Sequence, residues 1–303
     1  MDQCQETTVS LTRALNCLER SPSSFVVHCA AGEDKILAAP VPQALLEAGT
    51  AYEALFVPAL FRQWAPIVAD AAQIKSGDRV LDIACGTGVL AREAAARVGQ
   101  TGRVAGLDPH AGMLAVARGL SPGVDWHQGT AEALPFPDRC FDAVVCQFGL
   151  MFFADRDKAV REMQRVMVPG GRCVVAVWDA IDHAPAFAAL VALLDRIAGK
   201  AAGDALRAPF VLGDRSVLAT LFNGAGAEPV SITTRQGTAR FPSAREFVEA
   251  EVKGWLPVMG VTLPHSTIDR IMAEAQNMLA EYAAPDGGLA FKISSHIVSS
   301  GKP

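Results

Sequence analysis

Several features that would place a protein in a specialised class are missing from this sequence. None of its seven cysteines lies in a C-x-x-C pair, so the spacing of a zinc knuckle is absent and no metal site is expected. The odd number of cysteines also argues against a disulfide framework. There is no cluster of Lys and Arg, and 27 basic against 32 acidic residues leave a net charge of −5. Because nucleic-acid binding depends on neutralising phosphates, a nucleic-acid substrate is disfavoured.

Long apolar segments are scarce as well. No apolar run approaches the roughly 18–20 residues that span a bilayer, and residues 1–13 lack the basic flank and apolar stretch of a secretory signal. We therefore expect no membrane partner and a cytoplasmic, reducing location. With 50% hydrophobic and 19% charged residues, the chain has enough apolar material for a packed core. The sequence leaves the oligomeric state open, a homodimer included.

Short β-rich runs alternate with helical stretches between residues 79 and 178. Such alternation indicates βαβ units and a mostly parallel sheet. The run Cys173–Trp178 is apolar almost throughout, as expected of a strand buried on both faces. The predicted strands are Arg79–Ala84, Arg103–Asp108, Val124–His127, Asp142–Gln147 and Arg172–Trp178. The predicted helices are Val89–Val98, Gly112–Leu120 and Asp157–Val168, the last ending at the turn Pro169-Gly170-Gly171.

The pattern is less regular after residue 178. Helices are predicted at Phe187–Ile197 and Val217–Phe222, and strands at Val230–Thr234 and Leu289–Val298. Ser243 and Glu246 have the spacing of a capping box. An apolar stripe between residues 268 and 282 predicts a further helix.

The most informative stretch is a hydrophobic strand that enters a glycine-rich turn, Asp82-Ile83-Ala84-Cys85-Gly86-Thr87-Gly88. Glycines allow the backbone to approach a ligand closely, and the following helix offers unpaired N–H groups at its start. Asp108 ends the next strand, twenty residues after Gly88, at the usual position of a carboxylate that holds a ribose. The stretch therefore predicts a nucleotide-type site.

Two enzyme classes share this turn. Gly86-x-Gly88-x-x-Ala91 satisfies the loose dinucleotide pattern, so an NAD(P)-dependent oxidoreductase has to be considered. Asp82 argues against it, because a carboxylate four residues before the first glycine would repel a dianionic pyrophosphate. A ligand that carries an ammonium group would instead be attracted.

The downstream motifs are more specific. They are Gly129-Thr130-Ala131-Glu132-Ala133-Leu134-Pro135-Phe136, then Phe141-Asp142-Ala143-Val144-Val145, then Pro169-Gly170-Gly171-Arg172. In order and spacing, residues 50–180 resemble a class I S-adenosylmethionine-dependent methyltransferase. Within that superfamily the sequence is similar to the ubiquinone/menaquinone-type group of small-molecule methyltransferases.

The resemblance implies S-adenosylmethionine as the cofactor and assigns residues to it. Asp82, Gly86, Thr87 and Gly88 would meet the methionyl end, and Asp108 the ribose hydroxyls. The adenine would lie against Pro109, Thr130 and Ala131, and the loop after the fourth strand would contribute Gln147 and Phe148. The family often has Asp or Asn at the position of Thr130.

The resemblance also implies the fold: an α/β, Rossmann-like, doubly wound sheet of seven mostly parallel strands with the last strand antiparallel. We expect an N-terminal extension over residues 1–45 and a methyltransferase domain over 46–303. Segments 46–75, 183–228 and 236–288 are expected to form an α-helical cap over the cofactor.

The acceptor side is less well marked. The quinone methyltransferases continue Phe-Gly-Leu with Arg-Asn-Val, whereas this chain has Met151-Phe152-Phe153. With Trp255, which we expect in an exposed loop, Met151 and Phe152 predict a small, largely apolar organic acceptor that resembles a secondary metabolite, a prenyl compound or a quinone. The alternative is that these residues only pack the cap onto the sheet.

Two residues are candidates for a catalytic role. His183 follows the fifth strand and could remove a proton from the acceptor, although a solvated loop histidine is the alternative. Tyr52, in the N-terminal helix, could act on the cofactor or simply pack. The expected reaction is methyl transfer to O, N or C; a SAM-binding or cyclisation protein on the same fold is the alternative.

Overall fold

A seven-stranded sheet runs through the part of the chain that the structure describes. The computed structural model describes residues 41–302, so the predicted extension lies outside the described residues up to residue 40. Most strands of the sheet contain consecutive buried apolar residues. The strands are β1 Arg79–Ile83, β2 Arg103–Asp108, β3 Asp125–Gln128, β4 Phe141–Gln147, β5 Met167–Trp178, β6 Val230–Phe241 and β7 Leu289–Gly301.

The spatial order of the strands is β3-β2-β1-β4-β5-β7-β6. Strands β1 to β5 pair in parallel, and β7 is antiparallel to both β5 and β6, which confirms the predicted fold class. The strand order reverses between β1 and β4. In open α/β sheets a ligand binds beyond the carboxyl ends of the strands at such a reversal.

The Pro169-Gly170-Gly171 turn lies within β5 and does not precede it. Met167 pairs with Phe141, and regular pairing resumes only where Arg172 meets Ala143. Gly170, with φ at +74°, makes this irregularity possible because a side chain is unfavourable there. The predicted turn is therefore present, but as an irregularity within the strand.

Eleven α-helices flank the sheet in the described part of the chain. Connections between parallel strands are right-handed, so the helices that follow β1 and β2 lie on one face and the helix that follows β4 lies on the other. The α-helices are α1 Gln43–Ala51, α2 Ala65–Ala71, α3 Val89–Val98, α4 Ala111–Leu120, α5 Arg156–Val166, α6 Pro185–Ala198, α7 Lys200–Arg207, α8 Arg215–Gly224, α9 Ala244–Glu249, α10 Leu256–Val258 and α11 His265–Met278. Two stretches, Tyr52–Phe61 and Ala250–Trp255, are π-helical, and 3₁₀ turns occur at Arg62–Trp64, Leu150–Phe152, Ile181–His183, Ala208–Phe210 and Ala280–Tyr282.

Helix starts follow their sequence signals. The Ser243 side chain accepts a hydrogen bond from the Glu246 N–H, which confirms the N-cap of the predicted capping box. The Glu246 carboxylate accepts from the Ser243 hydroxyl at 2.9 Å and not from the Ser243 N–H, so the reciprocal bond of the box differs from the prediction. Asp155 caps α5 by accepting from the Lys158 N–H at 2.9 Å.

An unbroken helical run covers Gln43–Ala71. By length and composition this run could cross a membrane, so the expectation that no segment is long and apolar enough is wrong for it. In the structure the run packs on the domain. A Cβ at Gly112 of α4 would lie 2.2 Å from the Leu45 carbonyl oxygen, so α1 and α4 are in close backbone contact. Further along, Trp64 is fully buried.

The cap differs from the prediction in two places. Residues 236–241 belong to β6, so the third cap segment begins only after Phe241. Trp255 does not lie in an exposed loop: it ends the π-helical turn Ala250–Trp255 and is partly buried. Its indole N–H donates to the Ala205 carbonyl of α7 at 2.9 Å, which ties two cap segments together.

Candidate functional site

The turn after β1 lies beside the point where the strand order reverses. Three of its residues have positive φ: Ala84 at +54°, Gly86 at +56° and Gly88 at +86°. Phe148, at the end of the neighbouring β4, also has a positive φ of +57°. Left-handed backbone at Ala84 and Phe148 costs on the order of 1 kcal/mol or more each. Such strain is characteristic of ligand sites, because the surrounding structure has to hold it in place.

The two glycines of the turn have different surroundings. A Cβ at Gly88 would lie 2.4 Å from Cη2 of Trp126, whereas a Cβ at Gly86 would meet only the Tyr52 ring, at 3.8 Å. The structure therefore gives the two glycines different local reasons for being glycine. Gly88 is required because Trp126 of β3 packs on it, and only Gly86 leaves room in front of the turn.

Asp108 joins the turn to β2. Its Oδ2 accepts from the Gly86 N–H at 2.9 Å, and its Oδ1 accepts from the His110 N–H at 2.8 Å. The side chain is only 7% exposed. Oδ1 also lies 3.1 Å from His110 Nδ1, so Oδ2 is the oxygen with a further lone pair available for a ligand hydroxyl. Asp108, the residue predicted to bind the ribose, is thus held rigidly next to Gly86.

Two buried acceptor groups near the turn have no donor. Neither carboxylate oxygen of Asp82 has a hydrogen-bond partner within residues 41–302, and the same is true of Gln147 Oε1. Burial raises the pKa of Asp82 well above its usual value; the Ala91 N–H opposes this without completing a hydrogen bond. Buried acceptors without donors are costly. A ligand that brings donor groups to this edge would relieve that cost.

The N-terminal helical run closes over the turn through an acidic side chain that sequence reasoning missed. Glu53 Oε2 accepts from the Thr87 hydroxyl at 2.5 Å, and its Oε1 pairs with Arg92 at 2.8 Å. Arg92 also donates to the Thr87 carbonyl at 2.6 Å. No motif in the sequence marks Glu53 or Arg92.

Tyr52 precedes Glu53 and lies against Gly86. Burial is the largest cause of a raised pKa for the Tyr52 phenol, and the carboxylates of Asp108 and Glu53 add to it. The phenol therefore stays protonated at neutral pH and cannot serve as a base. It remains available as a hydrogen-bond donor above the turn.

The predicted adenine contacts lie on loops next to Asp108. Gly129, just before Thr130, donates its N–H to the Asp108 carbonyl at 3.2 Å, so the Thr130–Ala131 segment is adjacent to Asp108. Ala131 is buried, whereas Thr130 and Pro109 are exposed. The Pro109 carbonyl accepts from the Gln128 side chain at 2.9 Å.

An aromatic cluster covers the carboxyl ends of β4 and β5. Phe148 stacks on Trp178 with ring centres 3.7 Å apart, and Trp64 meets both rings edge-on. Phe61, which stacks on Tyr52, extends the cluster to the glycine-rich turn. Trp64 and Trp178 were not predicted as site residues.

The fold and the turn agree with a sequence match. Residues 81–175 match the family model described as a methyltransferase domain, and they contain most of β1, the glycine-rich turn, Asp108 and most of β5. Residues 81–175 are thus similar to a methyltransferase domain. Its cofactor is S-adenosylmethionine, whose ammonium and hydroxyl groups are donors of the kind that the unpartnered Asp82 and Gln147 oxygens lack.

Part of the chain is also similar to a curated protein. Over 126 residues the chain is 48% identical to the ubiquinone/menaquinone biosynthesis C-methyltransferase UbiE of Xanthomonas oryzae pv. oryzae, covering 40% of this chain and 50% of that protein. The chain thus spans about half the length of the curated relatives that it matches.

Solved structures show the same fold at low sequence identity. A putative methyltransferase from an antibiotic biosynthesis pathway of Anabaena variabilis has a TM-score of 0.56 at 16% identity, covering 78% of this chain and 96% of its own. Phosphoethanolamine N-methyltransferase 2 of Haemonchus contortus, solved with phosphomonomethylethanolamine and S-adenosylhomocysteine, has a TM-score of 0.54 at 18% identity, covering 86% and 58%.

The predicted acceptor residues are only partly brought together. Phe152 is 44% exposed and its ring centre lies 5.4 Å from that of Trp255, so the loop after β4 touches the cap. Met151, by contrast, is 3% exposed and belongs to the hydrophobic core, where its carbonyl accepts from Arg156. Met151 is therefore too deeply packed to present its side chain at the surface that Phe152 and Trp255 share.

His183 lies on the 3₁₀ turn that follows β5. Its Nδ1 lies 2.8 Å from Oδ2 of Asp179, and its side chain is 61% exposed. Asp179 was not predicted as a site residue, although an acidic residue directly after an apolar strand is a recognisable signal. No set of three His, Cys, Asp or Glu side chains suited to a metal occurs within 41–302.

Proposed function

We propose that the protein transfers the methyl group of S-adenosylmethionine to an O, N or C atom of a small, largely apolar organic acceptor. The observation that carries this proposal is the pair of buried, donorless acceptors, Asp82 and Gln147, beside an open Gly86 and a rigid Asp108. This arrangement suits a ligand with an ammonium group at one end and ribose hydroxyls at the other. A dinucleotide pyrophosphate would place negative charge against Asp82.

Each residue then has a role toward the cofactor. Asp82 and Gln147 accept hydrogen bonds from the methionyl end of the cofactor. The Gly86–Thr87–Gly88 turn lies against that end, and Asp108 accepts hydrogen bonds from the ribose hydroxyls. The loop that carries Pro109 and the segment Thr130–Ala131 flank the adenine, and Phe148 lies at the methyl-transfer end. When bound, the cofactor supplies an already activated methyl group.

The protein's remaining task is to position the acceptor and exclude water. Orientation alone can lower a barrier by roughly 7–11 kcal/mol in well-arranged cases. The helical run over the turn, held by Glu53 on Thr87 and Arg92, serves water exclusion. The aromatic cluster around Phe148 and Trp178 provides an apolar surface beside this helical run.

The acceptor's chemistry follows from the cap. Phe152 and Trp255 present contacting rings, and Val258 nearby is 72% exposed, so the surface between loop and cap is apolar. Apolar walls with few polar groups are usual in small-molecule sites. We propose that this surface admits the acceptor and that the enzyme takes it from the cytoplasm.

The first experiment measures cofactor binding and turnover separately. Equilibrium binding of tritium-labelled S-adenosylmethionine is compared with that of NAD(H), and release of S-adenosylhomocysteine is followed with a panel of phenols, hydroquinones, prenyl alcohols and charged metabolites. Cofactor binding with product from the apolar members supports the proposal. NAD(H) binding alone, turnover of charged members alone, or binding without any product contradicts it; the last outcome indicates a SAM-binding or cyclisation protein.

A second experiment tests the acceptor surface. Trp255→Ala and Phe152→Ala are expected to raise the acceptor KM at least several-fold while the S-adenosylmethionine Kd stays unchanged. Leu120→Ala is the control, since it removes an exposed apolar side chain at the end of α4, outside the surface that Phe152 and Trp255 share. If Trp255→Ala instead lowers the free energy of unfolding by roughly 3–5 kcal/mol with an unchanged KM, the residue is core and the acceptor assignment is wrong.

A further inference from the structure

A chain of side chains runs from the buried strand β7 to the exposed His183. Asp179 Oδ2 lies 2.8 Å from His183 Nδ1, and Asp179 Oδ1 lies 3.0 Å from Nε2 of His296. Oδ1 also accepts from the Ala180 N–H at 2.8 Å. One carboxylate, 7% exposed as a residue, thus links an exposed histidine to a buried one.

The buried histidine is fixed on both ring nitrogens. Nε2 of His296 hydrogen-bonds the Gly213 carbonyl at 2.9 Å, so this nitrogen carries a hydrogen, and it lies 3.0 Å from Asp179 Oδ1. Nδ1 lies 2.9 Å from the Thr234 hydroxyl, which can donate to it. His296 is 3% exposed, and both ring nitrogens have a hydrogen-bond partner. Its ring therefore lies fixed against Asp179 Oδ1, while Oδ2 faces His183.

The nearby carboxylate favours one tautomer of His183. A carboxylate only accepts hydrogen bonds, so its position 2.8 Å from Nδ1 favours the tautomer with the hydrogen on Nδ1 and the lone pair on Nε2. Because the side chain is 61% exposed, that lone pair can be reached by a substrate. The same orientation of an imidazole by a buried Asp is used in general-base sites.

The location fits the proposed reaction. Asp179 directly follows Trp178, whose ring stacks on Phe148 at the methyl-transfer end. β5 is two strands from β1 in the sheet, and adjacent strands are about 4.8 Å apart, so the turn carrying His183 begins roughly 10 Å from the glycine-rich turn. An acceptor of small-molecule size spans that interval.

We propose that His183 is the catalytic base that takes the acceptor's proton on Nε2, and that Asp179 and His296 are the positioning residues that hold it ready; this rests on the proposed methyl transfer. The acceptor's O–H, N–H or acidic C–H bond breaks and its proton moves to Nε2. The electron pair left on the acceptor bonds to the sulfonium methyl, and the electron pair of the broken C–S bond stays on sulfur, giving S-adenosylhomocysteine. The proton then leaves Nε2 for solvent.

A second His–Asp pair elsewhere in the molecule provides the control. His127 Nε2 lies 2.9 Å from Asp125 Oδ2, but Asp125 is 75% exposed and has no buried histidine behind it. Asp125→Asn removes the same kind of ion pair without touching either end of the proposed site. It should leave all measurements below unchanged.

The kinetic test uses three variants with the acceptor that the panel identifies. His183→Gln is expected to lower kcat by about 10²–10⁴-fold, the usual contribution of a general base. Asp179→Asn should lower kcat strongly and His296→Gln more weakly, with the S-adenosylmethionine Kd unchanged in all three. Near-wild-type kcat in folded His183→Gln overturns the proposal. A wild-type protein that binds no S-adenosylmethionine or releases no S-adenosylhomocysteine contradicts the proposed function itself, and the two failures are thus distinguishable.

A second measurement does not depend on turnover. Long-range ¹H–¹⁵N NMR of the histidine rings, with His183 assigned from His183→Gln, should show the Nδ1–H tautomer for His183 and the Nε2–H tautomer for His296 in the full chain. Asp179→Asn should abolish the preference at His183, while Asp125→Asn should not. An Nε2–H tautomer at His183 in the wild-type protein overturns the proposal whatever the kinetics show.

Discussion

Backbone forms most of the site at the β1–β2 side of the sheet, whereas side chains from distant segments form it beyond β5. The turn after β1 presents Gly86, and Asp108 is attached to that turn by a backbone N–H. Beyond β5, Asp179 meets His296, which is 117 positions away in the chain, and Phe152 meets Trp255.

The cofactor end and the acceptor end of the proposed site thus differ in how far apart in the sequence their residues lie. A cofactor end made of a local turn can be recognised from a short motif. An acceptor end made of long-range pairs has no local pattern, because each partner is fixed only when the sheet and cap assemble. Three predictions test this contrast, beginning with the largest expected effect.

The two glycines of the turn should separate stability from binding. Gly88→Ala places a Cβ 2.4 Å from Trp126 at a φ of +86°. Overpacking and left-handed strain together should lower the free energy of unfolding by roughly 2–5 kcal/mol. Gly86→Ala meets no close neighbour and should cost only about 1–2 kcal/mol, yet abolish S-adenosylmethionine binding.

Urea denaturation and equilibrium cofactor binding measure both effects. Equal stability losses in the two variants would contradict the packing role of Gly88. Near-native cofactor affinity in Gly86→Ala would show that the turn does not hold the cofactor.

Asp108→Ala should weaken S-adenosylmethionine binding at least tenfold. A carboxylate that accepts from ribose hydroxyls contributes on the order of 1.5–3 kcal/mol, and its loss also frees the Gly86 N–H. Isothermal titration calorimetry on protein whose fold is checked by circular dichroism measures the change. Asp125→Ala, which removes an exposed carboxylate two strands from the turn, is the control and should bind normally.

The last prediction concerns Glu251 of the cap, whose effect is small at acidic pH and grows as the pH rises. This glutamate is 3% exposed, and burial raises its pKa from 4.5 to about 8. Folding therefore favours the protonated carboxyl. The protonated Glu251 carboxyl therefore makes its full contribution to the free energy of unfolding below pH 4.5. That contribution is lost as the pH rises through about 8.

Glu251→Gln should remove this dependence. Between pH 4.5 and 8 the variant should gain on the wild-type protein by about 1.4 kcal/mol per pH unit in the free energy of unfolding. Glu249→Gln is the control on the same helical segment, since its ion pairs with Lys253 and Arg245 lower the pKa of Glu249. A constant difference between Glu251→Gln and wild type across this range would show that Glu251 is not buried as a neutral acid.

Much of the fold and of the cofactor end was predictable from the sequence. Apolar runs with turn residues between them located β1 to β5, and β2 was predicted to the residue, because burial on both faces and helical periodicity are local properties. The Ser243 N-cap of α9 was confirmed for the same reason. The spacing of Asp82, Gly86 and Asp108 predicted a cofactor turn that agrees with the methyltransferase match of residues 81–175.

Tertiary structure alone decided the rest. Three contacts depend on which segments the strand order brings together. They are Gly88 with Trp126, Glu53 with Thr87, and Asp179 with both His183 and His296. Sequence patterns record the preferences of neighbouring residues along the chain. Contacts between residues separated by 34, 38 or 117 positions arise only from packing, since no local periodicity encodes them.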